Sequence, residues 1–547
     1  MSKSAIGKLR TFDLPPLRLD PKPAFIDATS CRKWLDEVPL LNVGAANGML
    51  YAQLELFTNF EVAPEKRFET LELMRPHLFT VQEEHSKKFR SKPSPLSPQR
   101  REILSEVNSL WDVFGRAYQR CVEAWGKTDG DTSNAQAAAC QRALDCVARK
   151  VLEHHYAYVK AQPADFRTMH KLFAYSEREN LLGKRVRDPL TRDKEAITIQ
   201  RTYLRALLFD AATPREHRGL ALSVLERWLD RWGGKVTINA DLPATLQSPP
   251  LFVDLTKDGG LSRDPERGPT IRVIDLSGLA ISIDKRINGL RHGKKPEELD
   301  LGNDLSKRDF EGLLVSLRRQ WCEGRPRRQH DRQPVERLAH ASTGLVAAHF
   351  YLGKRPFEQP FTRSTLPRPA ASATDPVTQQ RVRAAADYML LSNIHAEQWI
   401  IRDESVTGLG LIRPLDESDG SRLTHGMMVS VRPRGGGTVL VGTIQWLEES
   451  AEGDLHVGVR LIPGVPMPTA ARYIGQEKFF PALMLAPIPA MNAPSSILLP
   501  AGSYAPQKVI EIFLKGIDRI QLTGLLDAGA DFERVAFMPG GAGYVAP

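Results

Sequence analysis

Gln398-Trp399-Ile400-Ile401-Arg402 leads straight into Asp403-Glu404-Ser405-Val406-Thr407-Gly408. The first run is rich in β-favouring residues and the second closes on a glycine, so the stretch reads as a strand delivered into a turn. Residues two apart in a strand share a face. Asp403 and Ser405 are therefore presented side by side: a carboxylate that only accepts hydrogen bonds, and a hydroxyl that gives or takes them. Gly408 is expected to supply the turn, since glycine takes positive φ freely. Working outward, Gly344 to Tyr351 (GLVAAHFY), Met427 to Arg432 (MMVSVR), Thr438 to Trp446 (TVLVGTIQW) and Leu455 to Ile462 (LHVGVRLI) are further strand candidates. Gly435-Gly436-Gly437 and Glu452-Gly453-Asp454 separate the later ones. Short strands at this spacing predict a small antiparallel barrel.

Upstream stands Arg327-Arg328-Gln329-His330-Asp331-Arg332, with an R-x-x-x-R from Arg328 to Arg332. Guanidinium forks bind phosphate, pair with O6 and N7 of guanine, and stack on base planes. The Watson–Crick edge of guanine offers N–H donors to a carboxylate such as Asp403. Together these residue types favour an anionic, guanine-containing ligand.

In this order, R-x-x-x-R, then D-x-S-x-x-G, then strands holding Gly442-Thr-Ile-Gln-Trp446 and Gly458-Val-Arg-Leu-Ile462, the sequence resembles the PilZ domain family. That family is a six-stranded β-barrel that binds cyclic di-GMP. The resemblance covers Arg325 to about Pro466. It implies that Arg328 and Arg332 wrap the ligand, with Arg327 as the extra arginine before the motif. It also implies that Asp403 and Ser405 hydrogen-bond a guanine and that Gly408 shapes the turn. The implied protein is a bacterial second-messenger receptor, not an enzyme, with cyclic di-GMP as ligand and no cofactor. Its expected partner is a protein of a pilus, flagellar or surface-attachment system. One departure stands out: about 70 residues separate Arg332 from Asp403, more than in ordinary PilZ domains. Pro356 to Pro376, rich in Pro, Ser and Thr, and a predicted helix from Val377 to Ile394 fill an insertion over residues 356–395. Such an insertion is thermodynamically tolerable, and the two motifs meet only where it loops out.

The rest of the chain gives an α+β multidomain reading. Residues 1–234 are expected to be helical. Ser97-Pro98 is an N-cap followed by a first-turn proline, and Ile103, Val107, Leu110, Trp111 and Phe114 then recur at helical spacing. Ala135 to Val159, Ile197 to Ala211 and Glu216 to Trp232 look alike, and Ser91 to Ser97 reads as a linker. Residues 235–324 form a mixed connector with short β runs, including Leu279 to Ile283, and predicted helices from Lys285 to His292 and Lys307 to Trp321. Its Asp275-Leu-Ser-Gly-Leu-Ala280 echoes the fuller motif, so this part reads as a degenerate PilZ-like barrel used for packing or as an unrelated connector. Residues 325–470 are the barrel with its insertion. Residues 471–547 are a small β-rich C-terminal domain, with strands at Ser496 to Leu499 and Val509 to Phe513.

Composition bounds these readings. The chain has 547 residues, 42% hydrophobic and 25% charged, which excludes collagen-like, disulfide-stapled and wholly disordered classes. The net charge of +9, from 74 Lys+Arg against 65 Asp+Glu, suits anionic partners. No stretch approaches the roughly 20 apolar residues of a membrane span, and the first 20 residues have no signal-peptide core. The scattered Cys31, Cys121, Cys140, Cys146 and Cys322 form no CxxC and read as reduced structural thiols in a cytoplasm. No metal motif is present, and His154-His155, adjacent on a helix, point apart as partly exposed helical residues. The basic run Arg325 to Arg337 lacks interleaved aromatics, which disfavours nucleic acid. Three classes are thus carried forward: a cyclic di-GMP receptor whose ligand orders the Arg325–Arg332 hinge, a ligand-free scaffold, and a nucleic-acid binder.

Overall fold

The computed structural model describes residues 12–127, 131–190, 196–243, 245–264, 268–324, 332–360, 396–414, 420–436 and 438–539. The chain divides into two units, Met1–Lys92 with Leu96–Arg327, and Pro93–Pro95 with Arg328–Pro547.

The first unit opens with eight described helices: α1 (Ala28–Leu35), α2 (Val43–Asn59), α3 (Pro64–Ser86), α4 (Pro98–Trp125), α5 (Ser133–Tyr156), α6 (Pro163–Arg178), α7 (Ile199–Ala211) and α8 (Gly219–Trp232). A short hairpin, β1 (Val186–Arg187) with β2 (Ala196–Ile197), stands between α6 and α7. α4 starts as its sequence requires: the Ser97 side chain accepts from the Arg100 N–H, and Pro98 fills the first turn, where no N–H is needed. α5 is the central helix and is buried around most of its circumference, polar residues included. Those polar groups are paired. Arg142 reaches Glu72 at 3.1 Å, and Asp145 takes Arg205 at 2.8 Å and Arg149 at 2.9 Å. Nearby, Arg75 grips Asp188 with both nitrogens, at 2.6 and 2.7 Å. Buried charges survive only when satisfied in this way. His154 and His155 do point apart, but both are buried. His154 Nδ1 bonds the Lys150 carbonyl at 2.8 Å, and His155 Nε2 stands 3.1 Å from Asp210.

Of the two alternatives for residues 235–324, a degenerate barrel and an unrelated connector, the described residues form no barrel. β3 (Thr237–Asn239), β4 (Leu251–Asp254) and β5 (Ile271–Asp275) form an open three-stranded sheet in the order β3-β5-β4. The Asp275-Leu-Ser echo starts a helix, α9 (Ser277–Arg291): the Asp275 carboxylate accepts from the Ser277 N–H at 2.9 Å. Leu279 to Ile283 is thus the first turns of α9, not a strand. α10 (Lys307–Cys322) follows. Trp228 and Trp321 donate their indole N–H groups to Leu301 and Leu208 carbonyls at 3.1 and 3.0 Å, which builds this segment into the helical core.

The second unit holds two closed six-stranded antiparallel barrels. The first comprises β6 (Gln333–Thr343), β7 (Glu397–Ser405), β8 (Gly408–Arg413), β9 (Met428–Pro433), β10 (Leu440–Glu449) and β11 (Leu455–Leu461), closed in the order β10-β11-β8-β7-β6-β9. Alternation assigns the faces. Ile401, Leu409, Leu411, Val457, Val459 and Leu447 fill the inside, and their neighbours look outward. Between β6 and β7 the run Gly344 to Tyr351 is a helix, α11 (Leu345–Gly353), and not the expected strand. An apolar residue at nearly every position carries no period to choose between helix and strand. Gly344, at φ 90°, ends β6 and turns the chain.

The C-terminal segment is the second barrel: β12 (Pro466–Tyr473), β13 (Phe480–Leu485), β14 (Ser496–Pro500), β15 (Val509–Phe513), β16 (Ile517–Ala528) and β17 (Phe532–Pro539), closed as β12-β13-β14-β17-β16-β15. It therefore begins at Pro466. The two barrels share a core in which Leu345 and Ala348 of α11, with Met428, Val441 and Ile462, pack on Leu483, Leu485, Leu498 and Phe532. Three residues far away in sequence complete the unit. Ser94 exchanges both backbone hydrogen bonds with Leu423, at 2.9 and 2.6 Å, and its hydroxyl donates to Glu449 at 3.2 Å.

Candidate functional site

One row of residues crosses the outer face of the first barrel. Register places Asp403 opposite Gly410, Gly410 opposite Gly458, and Gly458 opposite Trp446. Each flank of this row carries a bulge. Arg402 is the extra residue of β7 against β8, and Gln445 the extra residue of β10 against β11. Bulges bend a strand and re-aim its side chains. Here the first lets Arg402 fold back on its own neighbour: its Nη2 donates to Asp403 Oδ2 at 2.9 Å.

Arg332, the residue just before β6, donates from Nη1 to the other carboxylate oxygen, Asp403 Oδ1, at 2.5 Å. The last arginine of the upstream motif and the aspartate of the downstream motif are thus in contact across the insertion. Burial pushes the Asp403 carboxyl up, but hydrogen bonds and charge from Arg402 and Arg332 outweigh it and hold the group below the ordinary carboxylate value. The carboxylate is ionised and only 14% exposed, while Arg402 is half in solvent at 49%. Nearby on the same face, burial and then the charge of Arg402 hold His456 below the usual imidazole value.

Ser405 stands at the end of β7, and its hydroxyl donates to the Gly408 carbonyl at 3.3 Å across the two-residue turn. Gly408 does not supply the turn as expected, for it is not among the positive-φ glycines. It is a glycine because strands crowd it: an added Cβ would lie 2.8 Å from the Val459 carbonyl and 3.7 Å from Arg332 Nη2. Arg327 and Arg328 lie outside the described residues, as does the predicted helix from Val377 to Ile394.

Gly410, Gly458 and Trp446 were not singled out from sequence as parts of this site. A Cβ on Gly410 would sit 2.5 Å from Asp403 Oδ2, and one on Gly458 would sit 2.0 Å from Trp446 Nε1. The carboxylate and the indole thus lie over two bare positions of adjacent strands. Glycine inside a strand marks such close approaches, so Gly408-Leu-Gly410 and Val457-Gly458-Val459 carried the signal. The arrangement offers an acceptor pair, a hydroxyl, two guanidiniums and a half-buried aromatic plate on one face. Among the described residues no group of three or more His, Cys, Asp or Glu could hold a metal ion. No helix among them is long and apolar enough to cross a membrane. The five cysteines are free and buried, and burial pushes the Cys31 and Cys322 thiols up to about 12.

A closed six-stranded antiparallel barrel, with an arginine delivered onto the aspartate of a D-x-S-x-x-G turn, is the arrangement that the PilZ resemblance implies. Comparison with known proteins matches the segments on either side of this barrel. Residues 29–244 match the family described as the N-terminal domain of the cyclic-di-GMP receptor FimW, and residues 469–539 match the FimW C-terminal beta-barrel domain. The curated cyclic-di-GMP receptor FimW of Pseudomonas aeruginosa is 21% identical, with 91% of this chain and 88% of the relative aligned. The chain is thus similar to that receptor over nearly its whole length.

Proposed function

We propose that this chain is a cyclic di-GMP receptor that takes its ligand on the outer face of the first barrel, over the row from Asp403 to Trp446. The observation that carries the reading is the Arg332–Asp403 contact at 2.5 Å. A guanine edge brings N–H donors that replace the guanidinium at the Asp403 carboxylate. The freed fork of Arg332 then suits a phosphate, to which it binds bidentately. The indole of Trp446 offers a flat face for a base. In this reading Arg328, and Arg327 before it, join Arg332 on the ligand, while Ser405 bonds the guanine and Gly408 keeps the approach open. Gathering these arginines orders the Arg325–Arg332 hinge and so changes the surface offered to a protein partner. The role is binding and not catalysis, in the cytoplasm, and the output is control of pili, motility or surface attachment.

The test is calorimetric titration of the full chain with cyclic di-GMP, beside Arg332→Ala, Asp403→Ala and Trp446→Ala, with GTP as control. Micromolar or tighter binding, lost in the first two variants and weakened about tenfold in the third, is expected, as removal of one stacked aromatic costs 1–3 kcal/mol per base. Absence of heat and of any thermal shift at saturating ligand would overturn the reading and leave the ligand-free scaffold in its place.

A further inference from the structure

Beside the row just described, a third arginine faces the same side of the barrel. Arg460 on β11 stands directly opposite Gly408, and Gly408 opposite Ser405. Opposed residues share a face, and Gly408 has no side chain. Arg460 therefore looks across one bare strand toward Ser405 and Arg332, over two strand spacings of about 10 Å.

Its guanidinium is held by the second barrel. Arg460 Nη2 lies 2.6 Å from Asp527 Oδ2 on β16, with the two side chains 45% and 25% exposed. Asp527 follows a bulge in β16 and stands opposite Arg534 of β17. Arg534 is anchored, giving Nε to the Ser496 hydroxyl at 2.9 Å and Nη2 to the Pro463 carbonyl at 3.2 Å. Burial holds the Arg534 guanidinium below its ordinary value, with Asp527 opposing that shift and Arg460 adding to it. One carboxylate is thus flanked by two guanidiniums, one on the rim of the candidate site and one built into the other barrel.

We infer that Arg460 is a further ligand-binding cation, and that Asp527 is its exchangeable counter-ion: a phosphate of the dinucleotide takes Arg460, and Asp527 turns to Arg534. Occupancy of the first barrel is then registered as an ion-pair exchange in the second. This inference rests on the reading of the barrel face as a cyclic di-GMP site. A half-exposed ion pair is weak in water, whereas a guanidinium–phosphate contact is charge-assisted and bidentate, so a doubly charged ligand outcompetes Asp527. The differential contact that any ligand-driven shift requires is thereby supplied.

The experiment is a double-mutant cycle on the full chain, read by calorimetry with cyclic di-GMP, with Arg332→Ala as a site control. Arg460→Ala is expected to weaken binding about tenfold, the worth of one hydrogen bond to a charged group. Asp527→Asn keeps shape, removes the competitor, and is expected to tighten binding about threefold, matching a surface ion pair. In the Arg460→Ala background Asp527→Asn should change nothing. Amide hydrogen exchange over residues 524–536 should respond to ligand in the wild type and not in Arg460→Ala. The Asp527→Asn arm guards against a folding artefact, because a damaged fold loosens binding and does not tighten it. If Arg332→Ala abolishes binding while Arg460→Ala and Asp527→Asn both match the wild type, the exchange is overturned and the site reading stands. If the wild type itself does not bind, both fall.

Discussion

At Gly410 the atoms nearest to an added methyl are those of the Asp403 carboxylate, with Oδ2 at 2.5 Å and Cγ at 2.7 Å. Gly410→Ala should therefore displace the carboxylate without touching the barrel interior. We expect a stability cost of about 1–3 kcal/mol, as for overpacking in general, together with at least a tenfold loss of cyclic di-GMP affinity, read by thermal unfolding and titration on one preparation. Gly458→Ala should act on the other half of the row by lifting the Trp446 indole. Asp403 and Ser405 were legible in sequence because a period of two follows from strand geometry. The reason for Gly408 was not, since close approach by Val459 depends on a strand about 50 residues away. Arg402 escaped for a related reason: a bulge breaks the alternation that assigns faces.

Strand ends show how an element is fixed. Glu397 opens β7, Arg413 closes β8, and their side chains pair. Arg413 is 4% exposed. It also donates to the Ser421 carbonyl at 3.0 Å and lies over the Trp399 ring at 5.3 Å. Burial pushes the Glu397 carboxyl up, but the Ser421 amide and Arg413 outweigh it, leaving the group below its ordinary 4.5. A folded value lowered in this way gives stability that is full above the ordinary value and is lost as pH falls through the folded one. Glu397→Ala should cost about 3–5 kcal/mol at neutral pH, because it strands a buried guanidinium. The gap from wild type should narrow in acid, as denaturant unfolding at the two pH values would show. Most β elements of this barrel were readable from turn-bounded β-rich runs. α11 and the start of α9 were not, since short apolar runs such as Gly344–Tyr351 are resolved only by what they pack on.

For the molecule as a whole, the shared core makes the two barrels of the second unit interdependent. A chain ending after Ile462 would bare Leu345, Met428, Val441 and Ile462. It should be insoluble or bind hydrophobic dyes, whereas residues on both sides of the joint should unfold together in the full chain. Asp531 stitches the same joint, its Oδ1 accepting from the Met428 N–H at 2.9 Å. Burial raises its carboxyl above the ordinary 3.8 despite that bond. A raised acid burdens the fold only when ionised, so the burden is absent below the ordinary value and grows as pH rises through the folded one. Asp531→Asn keeps an acceptor and sheds the charge. Its melting temperature should exceed wild type at neutral pH and match it in acid. A sequence reading could place β-rich residues after 470, but closure into a second barrel depends on β12 pairing with β15, a long-range choice that local patterns do not encode.

The tripeptide Pro93–Pro95 belongs to the barrel unit although it is made more than 200 residues before the first barrel strand. During synthesis it must wait, unpartnered, until Leu423 and Glu449 have left the ribosome. A gene fragment beginning at Arg328 would encode both barrels and still lack a piece of the edge at Leu423. The unit is therefore no detachable cassette: recombination that moved the barrels alone into another protein would leave this stitch behind, so the helical segment and the barrels are expected to be inherited together.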